Sequence, residues 1–476
     1  MKLLKSYLLI IFLSTNFICF AQIDKRELMK TVEFLASSEL AGRLPGSVGY
    51  DKAANFISSE LAKLNLKPGG DLKYFQKLKV EYTEILAPEH LAIIKNGKKT
   101  EYKLGPDFVY RGFTGSGNLT APVVFCGYGL SQPELGYDDY TDIDVKDKVV
   151  MVFKYNPKWN LNSKNFTNGN PREKAIVAAK HGAVGILFVS FPNDAVPQKP
   201  IGSVIHGEGD QMQNFPEIHI ELNVADELFG GSGKTLKQLQ THIDSSKAPS
   251  SISLLHQVDI EVHTKYQKEK EVVNVIGILE GSDPKLKDEF LILGAHLDHV
   301  GEQAGKIYFP GANDNASGTA ALLEIARAFV SQSEKPKRSI AFAFFAIEEQ
   351  GLYGATHLAN NLPFPKEKVR AMFNLDCVGF GDSIQVGGGK SAVTLWETAK
   401  KIDSENDRLM VPATWSGGGA DAEPFFQKGI PTIYFVTTNS YKHLHMLSDK
   451  PETLNPKLFE AITRLAYKTA VFAASN

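Results

Sequence analysis

The stretch FLILGAHLDHVGEQAGKIYFPGANDNASG, residues 290–318, decides the fold. It opens as an unbroken apolar strand, FLILGAH, and closes that strand on His296 and Asp298. It then passes through a glycine-bracketed polar turn carrying Asp314 and enters the apolar helix ASGTAALLEIARAFV. A strand that is apolar throughout, rather than alternating, is what a sheet covered on both faces requires. The two-residue step places His296 and Asp298 on one face at the strand end. A histidine and two aspartates set this way suggest a metal.

Outward from that stretch the same alternation recurs. From Glu271 onward VVNVIGIL, EFLILGAH, RSIAFAFFAI, VRAMFNLD and PTIYFV read as strands, separated by amphipathic helices such as SAVTLWETAKKI and closed by a helix through Leu465. This predicts an α/β fold, a mixed and largely parallel sheet sandwiched by helices. Upstream, Leu28, Val32 and Leu35, then Ala53, Ile57 and Leu61, recur at helical spacing over residues 25–66, parted by Gly42, Pro45, Gly46 and Gly49. Residues 72–104 favour short strands. Between Gly105 and Val262 the texture changes to short apolar runs punctuated by Gly and Pro, with VVFCGYGL, KVVMVFKY and VGILFVS as strands and REKAIVAAKHGA as a helix. The expected organisation is an N-terminal part of the main domain (22–104), an inserted smaller, β-rich α/β domain (105–262), and the rest of the main domain (263–476).

The length of 476 residues agrees with two cores rather than one. Hydrophobic residues at 43% and charged residues at 22% are those of an ordinary globular chain. A formal charge of -2 leaves no global electrostatic case for nucleic acid or an anionic membrane. Residues 1–21 have the form of a signal peptide: Lys2 and Lys5, an apolar centre from Leu8 to Leu13, and an exit ending at Ala21. The chain is therefore expected to be exported, periplasmic or secreted. The apolar run is short for a membrane span, so no integral span is expected after signal removal, and bulky Ile18 argues against lipid attachment at Cys19. Cys126 and Cys377 are then too few for a disulfide framework.

The remaining candidate groups also fall at strand exits. Glu348 and Glu349 follow SIAFAFFAI, Asp376 ends VRAMFNL, and His445 lies in HLHMLSD after PTIYFV. Strand ends of an open α/β sheet face a shared crevice. Each group alone has an ordinary reading, as a packing histidine or a solvated helix start. Together they make five oxygen or imidazole ligands plus a spare carboxylate. Two imidazoles with several carboxylates suit Zn²⁺, and no cysteine cluster points to a closed structural site. Five ligands exceed one open catalytic zinc and fit two metals sharing a carboxylate and a bridging water. Of the adjacent glutamates, one can ligate while its neighbour takes the water's proton.

The series GAHLDHVG, GANDNASG, IEEQGLYGA, NLDCVG and HLHMLSD resembles the aminopeptidase family of co-catalytic di-zinc metallopeptidases. The resemblance implies that His296 and Asp376 hold one zinc, that Glu349 and His445 hold the other, and that Asp314 bridges them. It further implies Glu348 as general base, Asp298 as the partner orienting His296, and removal of N-terminal residues from peptides by a bridging hydroxide. LASSELAGRLPGSVGYDKAANFI is similar to the N-terminal helices of exported members, and residues 105–262, with FCGYGL, YDDY and VKDKVVMV, resemble a protease-associated domain. One departure stands out: ADAEPFFQKGIP has Ala422 after Asp421, where many members have histidine. The alternatives are a carboxypeptidase, a dipeptidase or a single-zinc glutaminyl cyclase on the same scaffold, and, more distantly, a non-catalytic binding protein.

Other signals carry less. GGSGKT at Gly230 to Thr235 lacks the earlier glycine of a phosphate loop, since Leu228 stands there. The triplet at Gly387 lacks a dinucleotide fingerprint, and the one at Gly417 either lines the crevice or is a plain loop. His299, beyond the strand, and His443 read as neighbours of the ligands or as surface residues, His357 as structural, and Cys377 as a small apolar group.

Overall fold

The computed structural model describes residues 23–161, 163–167, 169–204 and 211–476. The expected signal segment lies outside these residues. The strands that position the site are β1 (Phe75–Lys95), β2 (Phe108–Tyr110), β3 (Gly117–Phe125), β4 (Val149–Phe153), β5 (Gly185–Val189), β6 (Glu217–Ile220) and β7 (Ile252–Leu279). They continue with β8 (Phe290–His296), β9 (Ser339–Phe345), β10 (Val369–Leu375), β11 (Ile384–Gly387) and β12 (Thr432–Thr437). Among the described residues they belong to one hydrogen-bonded sheet, in the order β11-β12-β10-β8-β9-β7-β3-β4-β5-β6-β2, with β1 paired to β7.

In the C-terminal half β8 runs parallel to β9 and β10, and β10 to β12, with β11 and β7 antiparallel at the flanks. Both faces are covered. Leu291, Leu293 and Ala295 of β8 join a core with Leu28, Ile57, Leu322 and Ile462, from helices Lys25–Leu35, Val48–Lys63, Gly318–Ser331 and Pro456–Ser475. Ile292, between them, faces the opposite core with Leu358, Met372 and Phe425. That two-sided burial is why β8 is apolar throughout, and it agrees with the largely parallel sandwich expected.

The second half of the sheet repeats this on its own. β3, β4, β5 and β6 are mutually parallel neighbours. One face packs Val123, Met151 and Leu187 against Leu239 and Ile243 of helix Leu236–Ser246. The other packs Val150 and Ile186 against Ala175 and Ala178 of helix Pro171–Lys180.

The short strands expected over 72–104 are instead dominated by β1, which is 21 residues long, paired antiparallel to the 28-residue β7 from Gln257↔Ile94 to Val275↔Phe75. β7 crosses residue 262 without interruption, and Ile85, Leu91 and Ile93 of β1 pack into the core that contains Val123 and Val258. The middle of the ribbon, YQKEKE in β7, is polar and largely exposed, so its length depends on cross-strand pairing rather than on a core-facing pattern. Among the described residues no helix is long and apolar enough to cross a membrane.

Candidate metal centre

β8, β9, β10 and β12 all deliver their C-terminal ends to one point. After β8 the chain holds its course, because Leu297 N–H donates to Phe345 O at 2.8 Å and His299 N–H to Arg43 O at 3.2 Å. Residues 312–317 then form an irregular helical turn whose helical path breaks at Asp314 (φ -109, ψ 98). The turn is held from outside: Asp449 accepts from Asn313 N–H at 2.9 Å through Oδ1 and from Asp314 N–H at 3.1 Å through Oδ2. Gly311 (φ +58) opens it, and a Cβ there would lie 2.5 Å from His299 Cδ2.

Asp314 is buried and divides its two oxygens. Oδ1 lies 3.3 Å from His296 Nε2, which is itself 3.5 Å from Asp376 Oδ1. Oδ2 lies 3.1 Å from His445 Nε2 and 3.7 Å from His299 Nδ1. Glu349 closes that second group, with Oε2 2.8 Å from His445 Nε2 and Oε1 2.8 Å from His299 Nδ1. The groups His296/Asp314/Asp376 and His299/Asp314/Glu349/His445 each bring their ligand atoms within 4.8 Å of one another. Glu348 stands at the rim: its Oε2 is 4.0 Å from His296 Nε2, and its side chain is 18% exposed against 3% for Glu349.

Around this set a buried polar frame fixes the backbone. Asp298 accepts from Glu348 N–H at 3.2 Å and from Glu349 N–H at 3.3 Å, one on each oxygen. Its Oδ1 is 3.7 Å from His296 Nδ1, while its own carbonyl is nearer, at 3.3 Å. The Tyr434 hydroxyl donates to Asp376 Oδ2 at 3.1 Å. Ala422, where the resembling family has histidine, is buried in the apolar cluster with Phe345, Met372 and Phe425. Asp421 beside it is fully buried, and neither of its oxygens has a hydrogen-bond partner.

The electrostatics are those of a crowded anionic pocket. Asp298, Asp314, Glu349, Asp376 and Asp421 are all buried. Burial opposes the charged forms of His296 and His445, but Glu348 and the carboxylates of Asp314 and Asp376 hold His296 well above the usual imidazole range, and Glu349 and Asp314 do the same for His445. Burial likewise opposes charge on Asp314, yet His296 and His445 hold it well below the carboxylate range. Glu348 is pushed well above that range by burial, against the pull of His296, with repulsion from Glu349, Asp421 and Asp376 adding to the rise. Burial raises Asp298 to about 7.

The donor chemistry fits metal ions. His296 Nε2 and Asp376 Oδ1 are buried without a hydrogen-bond partner although they face each other. Buried polar atoms left so are costly unless something else binds them. Neutral imidazoles and carboxylates arranged around a shared aspartate are the donors that Zn²⁺ takes.

The structure brings all seven expected residues together and adds two. His299, read from sequence as a neighbour or surface residue, is fully buried and in direct contact with Glu349. Arg43, which drew no attention, is also fully buried, and its guanidinium donates to the carbonyls of Leu35, Leu297, Pro310 and Gly311 at 2.5–2.9 Å. Of the residues set aside, His443 bonds Ser448 Oγ at 2.9 Å, away from the cluster, and Cys377 packs with Tyr434 and Val436.

Residues 274–470 match the model of peptidase family M28. An aminopeptidase of Pseudomonas aeruginosa is 26% identical over 76% of this chain and 59% of its own length. Aminopeptidase YwaD of Bacillus subtilis is 26% identical over 84% of this chain and 73% of its own. The chain thus spans about three fifths of the Pseudomonas relative. Among solved structures, a zinc aminopeptidase from Bacillus subtilis superposes with a TM-score of 0.64 over 96% of each chain at 19% identity, a likeness of fold.

Proposed function

Because residues 274–470 match the model of peptidase family M28, we propose that this chain is an exported zinc aminopeptidase that removes N-terminal residues from peptides with two metal ions. The observation that carries the reading is the divided carboxylate of Asp314, with Oδ1 3.3 Å from His296 and Oδ2 3.1 Å from His445. One zinc would be held by His296 and Asp376, the other by Glu349 and His445, with Asp314 shared; His299 supports the second set through Glu349. Zinc bound there supplies Lewis-acid polarisation of a peptide carbonyl and a water acidified toward neutrality.

The protein's own side chains do the rest. Glu348, the most exposed carboxylate of the group, is placed to take the proton of the attacking water and return it to the leaving amine. Asp298 fixes the Glu348–Glu349 backbone, so base and ligand keep opposite aims. Residues 105–262 are proposed to form an inserted protease-associated module and residues 1–21 a cleaved signal.

The test is a hydrolysis profile over free-N-terminal peptides, their N-acetylated forms and dipeptides, using zinc-loaded protein. Cleavage of the free forms from the N-terminus is expected. Cleavage confined to N-acetylated peptides refutes the aminopeptidase reading, and release of C-terminal residues favours the carboxypeptidase alternative.

A further inference from the structure

His445 is the candidate ligand with the least support from its own secondary structure. It follows a short 3-10 turn, Ser440–His443, in a loop, and its backbone adopts φ +56, a conformation that a side-chain-bearing residue disfavours. Turn bonds within its own loop, Leu444 N–H to Tyr441 O at 3.2 Å and Met446 N–H to His443 O at 3.0 Å, are joined by one contact from far away in the chain. The N–H of Gly202, a residue more than two hundred positions earlier, donates to His445 O at 2.9 Å.

Gly202 lies in an irregular strap, residues 199–204, that leaves the second half of the sheet and crosses to the metal centre. The strap is pinned on the far side at three points. Gly112 N–H donates to Ser203 O at 2.8 Å, Ile201 N–H to His219 Nδ1 at 3.3 Å, and the Arg111 guanidinium to Ile201 O at 3.4 Å. His219 is fully buried on β6 and bonds Ser190 Oγ at 3.1 Å, so the anchor is part of that half's interior. On the near side Val204 enters an apolar cluster with Val109, Val300 and Phe309, against which Leu447, two residues past His445, also packs. The fit at Gly202 is close, since a Cβ would fall 2.6 Å from Val300 Cγ2 and 3.0 Å from Phe309 Cε2.

We infer that the strap is a positioning element for the metal centre: residues of the inserted segment that touch no metal set the backbone of His445, and through it the affinity of the second zinc position. The inference rests on the reading of His445 as a zinc ligand. It gives the inserted segment a direct part in building the site, beyond covering it. A metal ligand whose outer partner is lost binds about 10–100-fold more weakly, and the strap should act with that magnitude on one metal ion only.

The experiment is a zinc competition titration against a chromophoric chelator, performed on full-length wild type, Gly202→Pro, Gly202→Ala, His445→Ala and the exposed control Val196→Ala. Gly202→Pro removes the donor, and Gly202→Ala displaces the strap from Val300. Both are expected to loosen one of two zinc equivalents by about 10–100-fold, as His445→Ala does, while Val196→Ala matches wild type. If His445→Ala loosens one zinc and both Gly202 variants bind as wild type, the strap inference is overturned and the ligand reading stands. If His445→Ala leaves zinc binding untouched, the ligand reading falls and takes the inference with it. Should the Gly202 variants not fold, hydrogen exchange on wild type decides: on zinc removal, residues 199–204 and 440–449 should gain exchange together, and a gain confined to 440–449 overturns the inference.

Discussion

Replacing Arg43 with methionine should destabilise the half of the protein that carries the metal centre, although the Arg43 side chain touches none of the five proposed ligands. Its guanidinium bridges four carbonyls from three separate segments: Leu35 at the end of the first helix, Leu297 one residue past His296, and Pro310 and Gly311 at the entrance to the Asp314 turn. Methionine fills comparable space and leaves the carbonyls of Leu35, Leu297 and Pro310 without a partner, while Gly311 O keeps the Ala316 N–H at 3.1 Å. At about 1–3 kcal/mol for each of these three buried groups left unsatisfied, the loss is about 3–9 kcal/mol. Against it stands the cost of burying the cation: burial lowers the Arg43 pKa from 12.5 to about 10, a penalty of roughly 3 kcal/mol that methionine does not carry. The net is a destabilisation of about 0–6 kcal/mol, centred near 3, against a total domain stability of about 5–15 kcal/mol. Urea unfolding followed by fluorescence measures it. Arg43→Lys keeps the charge but not the four-way fork, and should fall between the two. An Arg43→Met variant at least as stable as wild type would refute the reasoning, because it would mean that the carbonyls find other partners at no cost.

Two further outcomes follow from the site. Glu348→Gln should retain zinc while losing about 10²–10⁴-fold in kcat with little change in KM; steady-state kinetics beside metal analysis checks this, and near-normal turnover would remove Glu348 from the proton transfer. Zinc uptake should weaken as pH falls, because His296 and His445 hold protons well above the ordinary imidazole range and must lose them to bind metal. Calorimetry in buffers of different ionisation enthalpy should show about two protons released per chain on saturation.

Much of this was legible in the chain because strand ends are legible. β8, β9, β10 and β12 announce themselves by apolar runs, and the groups that follow the first three, His296, Asp298, Glu348, Glu349 and Asp376, must meet if the strands are parallel neighbours. His299 escaped because spacing past a strand end says nothing about where the chain goes next; it is the bond from its N–H to Arg43 O that turns it inward. Arg43 escaped for a related reason. A single arginine in a Gly- and Pro-rich turn looks solvated, and only tertiary structure shows that four carbonyls converge on it. The long β1–β7 ribbon was read as short strands since its pairing is between segments far apart in sequence, and its polar centre carries no core pattern. The strap from Gly202 to His445 is of the same kind: a backbone contact leaves no side-chain signature.

If Asp314 is shared between two metal positions, its loss must cost more metal than the loss of a terminal ligand. Zinc content at saturation, compared among wild type, Asp376→Ala and Asp314→Ala, tests it most directly. The account predicts two zinc ions per chain for wild type, one tightly held ion for Asp376→Ala, and loss of tight binding at both positions for Asp314→Ala. A wild type that saturates with one zinc, or an Asp314→Ala variant that keeps one ion as tightly as Asp376→Ala does, would contradict it.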